Sequence, residues 1–190
     1  MSKELLVVVD MQVGFTRGSL ANPAAEAIIP AIVKRIDNFD GTAIVVTRDT
    51  HDTNYLETFE GKHLPVEHCL RGTADHEIVA EIAIALARAE FRGVKVIYVD
   101  KPTFGYTNWQ TVLKKHGITV NTEVDKFVYV GTCTGICVLS NAVITRALYP
   151  EIQHEIIATE CACITEETHE NALKAMTFLQ MNIIWEHDND

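Results

Sequence analysis

Positive charge is scarce in this sequence: 16 Lys and Arg stand against 26 Asp and Glu, for a formal net charge of -10. A nucleic-acid partner is therefore not expected, because phosphate binding needs a stripe of cations that displaces counterions. A small anionic ligand is still allowed, since a few local cations can set the field inside a pocket. Long hydrophobic runs are missing as well. The first apolar stretch, residues 5–9, is too short to span a bilayer, and no small-residue cleavage site accompanies it. No membrane segment or secretory leader is expected. The cysteines are five (Cys69, Cys133, Cys137, Cys161 and Cys163), an odd count without a Cys-x-x-Cys pair. That argues against a disulfide framework and against dithiol redox chemistry, and it points to free thiols in the cytoplasm. Internal repeats, low-complexity tracts and linkers are also absent, so one domain over residues 1–190 is expected.

Short apolar runs are what the chain has in quantity. They fall at residues 5–9, 43–46, 94–99, 127–130, 155–158 and 182–185, and several are rich in Val and Ile. They are nearly continuous rather than alternating, as strands of a parallel sheet covered on both faces should be. Helix-like stretches separate them at 24–38, 75–89, 107–116, 135–148 and 166–180, with Gly93, Gly117 and Pro150 at helix exits. The alternation predicts a three-layer α/β/α fold wound on a parallel sheet. Residues 47–73 fit neither period, and a loop of that length in a compact domain points to function.

Ligands of open α/β sheets bind beyond the carboxyl ends of the strands, and four such ends carry reactive groups here. Strand one ends in Asp10, strand two leads into Asp49 and His51, and strand three ends in Lys101. Strand four leads through Cys133 to Cys137, in the first turn of the next helix. Unpaired N–H groups and the helix dipole at that position favour a thiolate, and the same N–H groups suit an oxyanion. Lys101 nearby would lower the thiol pKa, and Asp10 would take its proton and return it to a leaving amine. Acid, cation and thiol together suit amide hydrolysis. On the residues alone, a structural cysteine packed against the sheet stays open beside that reading.

Asp49 and His51 lie two apart, so on extended chain their side chains point the same way and can share a metal. His68 on the same polar stretch would close the site, with Glu60 or water filling further positions. A mixed carboxylate–imidazole set suits zinc first, with iron or manganese as alternatives. A solvated loop stays open as the other reading, and His63 and His76 are expected to be ordinary loop histidines.

At these residues the chain resembles the isochorismatase-like superfamily, and within it the nicotinamidase-related cysteine hydrolases. The resemblance runs from Val7-Val8-Val9-Asp10-Met11-Gln12-Val13-Gly14-Phe15 through Thr47-Arg48-Asp49-Thr50-His51 and Leu64-Pro65-Val66-Glu67-His68. It continues in Lys101-Pro102-Thr103-Phe104, Cys133-Thr134-Gly135-Ile136-Cys137-Val138 and the stretch from Ala162 to Leu173. It implies a six-stranded parallel sheet in the order 3-2-1-4-5-6, and usually a dimer or tetramer. It implies catalytic Asp10, Lys101 and Cys137, a cis peptide at Thr132–Cys133, and an oxyanion hole from the N–H groups of Cys133 and Cys137. It implies a metal on Asp49, His51 and His68, with Glu60 matching a ligand found in some members. The activity implied is hydrolysis of a small carboxamide, nicotinamide first, through a thioester. A vinyl-ether hydrolase of the isochorismatase type and an inactive oligomeric binding protein of the same fold are the alternatives.

Three positions depart from the family pattern: Gly14, Gly135 and Leu64, the last standing where many nicotinamidases place a Trp against the substrate ring. Phe15, Leu64 and Phe104 are the expected substrate contacts. Phe15, Phe104, Tyr106 and Trp109 are candidates for a replacement aromatic face, with core packing as the other reading of each.

Overall fold

The apolar runs pair into one sheet because each inner run gains an apolar neighbour on either side and an apolar layer above and below. In a computed structural model, which describes residues 2–185, six strands lie parallel: β1 (Glu4–Val9), β2 (Ala43–Asp49), β3 (Lys95–Lys101), β4 (Lys126–Thr132), β5 (Gln153–Ala162) and β6 (Asn182–Ile184). Their order is β3-β2-β1-β4-β5-β6, as expected. Strand β2 continues beyond its apolar run because Thr47, Arg48 and Asp49 keep pairing with Val99, Asp100 and Lys101. Ladder hydrogen bonds there carry the strand into polar sequence, and bring Asp49 level with Lys101.

Helices cover both faces: α1 (Val13–Thr16), α2 (Pro23–Ala27), α3 (Ile29–Asn38), α4 (Phe59–His63), α5 (Ala80–Phe91), α6 (Trp109–Lys115), α7 (Leu139–Leu148) and α8 (Glu166–Phe178). Side-chain alternation along β1 divides the core. Leu5, Val7 and Val9 face a layer with Trp109, Leu113, Ala142, Leu173 and Met176, from α6, α7 and α8. Leu6 and Val8 face Ile32, Ile36, Ile82, Ala85 and Leu86, from α3 and α5. A capping box at Thr165 and Thr168 fixes the start of α8, an arrangement whose cap is worth about 1 kcal/mol.

Several boundaries differ from the sequence pattern for identifiable reasons. The helix expected over 24–38 is two helices, because Pro30 has no N–H to continue the ladder through Ile28. The helix expected from 75 begins at Ala80 instead. Residues 74–76 make a single 3-10 turn, and the chain then runs extended so that Val79 N–H donates to Met11 O and Ile78 bridges to Gln12. The helix expected from 135 opens with a π-helical turn, Thr134–Val138, before α7. Beyond β2, the polar stretch holds a 3-10 turn at Tyr55–Glu57 and the five-residue α4, pieces too short to leave a period in sequence. Trp185 lies just past the end of β6.

Candidate active site

The carboxyl ends of β1, β3 and β4 converge on one buried cluster. Asp10 follows β1 with φ 48°, a left-handed turn that Asp tolerates better than most residues. Beside it, Gly131 has φ 118°, and a Cβ there would sit 2.2 Å from Val9 O, so only glycine lets β4 approach β1 this closely. Lys101, fully buried at the end of β3, places Nζ 2.7 Å from Asp10 Oδ2, 3.3 Å from Asp49 Oδ1 and 3.7 Å from Cys137 Sγ. Thr47 Oγ1 donates to Asp10 Oδ1 at 2.7 Å. Asp10 Oδ2 thus meets Lys101 as an ion pair, and the Asp10 carboxyl also lies within hydrogen-bonding reach of the Cys137 thiol.

The electrostatics of this cluster differ from the sequence expectation in one respect. Burial pushes the Cys137 thiol well above its ordinary pKa; Lys101 opposes the rise, while Asp10 and Asp49 add to it. Lys101 therefore acts in the expected direction but is outweighed, and the resting group is a thiol. Burial also raises Asp10, with Lys101 opposing. Burial would lower Lys101, but Asp10 and Asp49 raise it overall, so it stays charged.

A second cluster adjoins the first. One ligand atom from each of Asp49, His51, Glu60 and His68 lies within 4.8 Å of the others. The donor set fits a cation. His51 Nε2 is buried and 2.8 Å from Asp49 Oδ2, yet it makes no hydrogen bond of good geometry there or elsewhere. His68 Nδ1 bonds to Val66 O at 2.8 Å, so its Nε2 is the nitrogen left to face Asp49, 3.4 Å away. Two imidazoles and two carboxylates with such orphaned atoms match the donor chemistry of a divalent transition metal. For Asp49, burial raises the pKa, but the His51 and His68 imidazoles beside it and the charge of Lys101 outweigh it and hold the carboxyl below the usual range.

Gln12, which the sequence reading did not single out, supports this cluster. Fully buried, it accepts from Asp49 N–H at 2.7 Å and donates to Asp49 O and His76 O, each at 2.9 Å. A glutamine two residues after a strand-end acid is the signal that marks it. Asn141, also missed, donates to Cys137 O at 2.8 Å and accepts from Tyr106 N–H at 2.9 Å, tying the β3–α6 connection to the π-helical turn. Its place four residues after Cys137 puts it on the same helix face. His76 is not a loop histidine in solvent: it is buried, with Nε2 2.8 Å from Thr50 Oγ1. His63 is exposed on α4, as expected.

Both clusters open into one cavity of about 420 Å³. Phe15, Leu64 and Phe104 line it, together with Thr132, Cys133 and Cys137. The peptide Thr132–Cys133 is cis, and the Cys133 side chain lies beside that of Cys163. Of the four aromatics considered as a replacement face, Phe15 and Phe104 reach the cavity. Trp109 is fully buried in the core, and Tyr106 packs against that core. Neither Gly14 nor Gly135 lines the cavity. A Cβ on Gly14 would sit 2.8 Å from Cys69 Sγ, so close packing there accounts for the first departure from the family pattern. Leu64 is the one departure that faces the ligand space.

The family model described as Isochorismatase domain matches residues 4–187. The chain belongs to the isochorismatase family. Its fold is shared with solved members. A pyrazinamidase/nicotinamidase from Streptococcus mutans UA159 superposes with a TM-score of 0.77 at 26% identity, covering 95% of this chain and 99% of that one. A pyrazinamidase of Pyrococcus horikoshii, solved in complex with zinc, gives 0.73 at 26% identity, covering 97% and 99%. A nicotinamidase from Bacillus subtilis gives 0.72 at 24% identity, covering 96% and 99%, which bears on the fold alone. A comparison with curated proteins returned no match. In this isochorismatase-family chain, no helix among the described residues is long and apolar enough to cross a membrane.

Proposed function

We propose that the protein hydrolyses a small carboxamide to its acid and ammonia through a thioester on Cys137. The observation that carries this reading is Lys101 Nζ standing 2.7 Å from Asp10 and 3.7 Å from Cys137 Sγ in a fully buried cluster at the cavity floor. Asp10 takes the thiol proton as Sγ attacks the carbonyl carbon, and the Lys101 charge offsets the negative charge that develops on sulfur. Backbone N–H groups of Cys133 and Cys137 receive the oxyanion. The C–N bond breaks as Asp10 returns its proton to nitrogen, and ammonia leaves. Asp10 then deprotonates water, which attacks the thioester; carboxylic acid and free thiol are restored.

Asp49, His51, Glu60 and His68 would hold a divalent transition metal, zinc first, with iron or manganese as alternatives. Bound there, the metal supplies positive charge beside the cavity that can orient a lone pair of the substrate. Phe15, Leu64 and Phe104 contact the acyl part of the substrate, and nicotinamide is the reference substrate. The same reading carries a single domain over residues 1–190, a cytoplasmic location and a homodimer or homotetramer, the last checked by sedimentation.

A panel of primary carboxamides assayed for ammonia release, with Cys137→Ala beside the parent, tests the proposal. Turnover of at least one amide by the parent and none by the variant is expected. Full activity in the variant would falsify it. Pyruvate release from a vinyl ether without ammonia release from any amide would instead support the alternative chemistry of the family.

A further inference from the structure

We infer that the preferred acyl group is neutral, apolar and bulkier than a pyridine ring, and that Leu64, Phe104, Ile136 and Ile164 read it. This rests on the amide-hydrolysis reading and extends it to a substrate class. The lining of the 420 Å³ cavity divides by chemistry. Its reactive and polar groups belong to the thiol cluster and to the Asp49–Glu60–His68 set; most of the rest is hydrocarbon, including Leu20, Phe15 and the four residues named above.

Charge is the first discriminator. Among the described residues no Lys or Arg lines the cavity, so away from the metal set an acyl-side carboxylate would lose its water against carbon with no cation to replace it. Asn22 and Thr132 also line the cavity, and both are engaged: Asn22 Oδ1 accepts from Ala24 N–H at 3.0 Å and Nδ2 donates to Cys163 O at 2.9 Å, while Thr132 Oγ1 donates to Ala162 O at 3.3 Å. An acyl-side ammonium would meet only Asp49 and Glu60, the carboxylates assigned to the metal. A neutral group is what remains.

Size is the second. Nicotinamide has about nine heavy atoms, which at no more than about 30 Å³ each, the share of a water in the liquid, fill at most roughly two-thirds of the space. The remaining volume is bounded by apolar side chains and is filled best by further carbon. The wall also continues outward: Leu64, Phe104 and Ile164 are 38%, 45% and 72% exposed although each lines the cavity. An acyl chain longer than a single ring would cover hydrocarbon that now faces water.

The test is a series of straight-chain primary amides from propanamide to octanamide, with cyclohexanecarboxamide, nicotinamide and a hexanamide-length amide ending in a carboxylate, each read as kcat/KM for ammonia release. A rise of about fourfold per methylene is expected until the cavity fills, past the value for nicotinamide. The carboxylate-ended amide should fall at least about a hundredfold below hexanamide. In Ile164→Ser, an exposed position where folding is not at stake, the octanamide-to-nicotinamide ratio should drop several-fold. Nicotinamide leading a flat series, or an unchanged ratio in Ile164→Ser, overturns this inference and leaves amide hydrolysis standing. No ammonia from any amide overturns the hydrolysis reading itself.

Discussion

The two clusters at the strand ends are held in different ways. Asp10, Lys101 and Cys137 sit on the last residue of a strand or on the turn just after it, and all are buried. In the other cluster, Asp49 ends β2, but His51, Glu60 and His68 lie on the connection that follows, with Glu60 on the five-residue α4 and its side chain 20% exposed. The sheet itself fixes the first cluster. The second depends on props: Gln12 on the Asp49 backbone, Tyr55 packed against both imidazoles with ring centroids 4.6 and 4.9 Å away, and Tyr55 OH donating to Leu64 O at 3.0 Å. Damage to the first should thus appear as lost chemistry or lost stability, and damage to the second as lost affinity that ligand can restore.

The largest effect belongs to the first cluster. Cys137→Ala should reduce kcat for amide hydrolysis by about 10⁴-fold or more while the far-UV spectrum and melting point hold, measured by ammonia release and thermal denaturation. Lys101→Met tests the sheet-fixed cluster by stability. It leaves Asp10 buried beside Asp49 without a cation, and chemical denaturation should show a loss of about 3–5 kcal/mol. A loss below 1 kcal/mol would mean that the Asp10–Lys101 pair is not the buried unit described.

His154, in the core away from both clusters, separates acid loss of the fold from acid loss of the site. Burial holds its pKa down at about 4, below the ordinary 6.5. A depressed histidine contributes its stability in full above 6.5 and loses it as pH falls from 6.5 toward 4. Denaturation at pH 7 and pH 4 should therefore differ by up to about 3 kcal/mol from this group, and His154→Gln should remove that part of the slope. The smallest effect is expected in the propped cluster. Gln12→Ala should weaken zinc binding, read by calorimetry, by about 10–100-fold, with activity restored by added zinc. Loss of activity that zinc does not restore would show Gln12 serving the thiol cluster instead.

The same difference in construction decides what the sequence could reveal. Asp10 and Lys101 directly follow apolar runs, and Cys137 lies just past one, so strand pattern alone points them at the carboxyl edge. The π-helical turn under Cys137 and the burial that keeps its thiol protonated depend on packing from α7 and α8, which no local pattern carries. His51 and His68 were readable as residue types, but their convergence needs a loop path set by the His51–Leu70 bridge. His76 looked like a solvated histidine because its partner, Thr50, lies 26 positions away. The break at Ile28 had a visible cause in Pro30. The late start of α5 did not, because the extended segment before it answers to Met11 and Gln12 across the fold.

Acyl-enzyme trapping tests the central claim most directly. The protein, acid-quenched during turnover of hexanamide or nicotinamide and digested, should yield a peptide containing Cys137 that is heavier by the acyl group and loses it to hydroxylamine. An acyl group on another residue, or ammonia release at steady state with Cys137 replaced by Ala, would contradict the account.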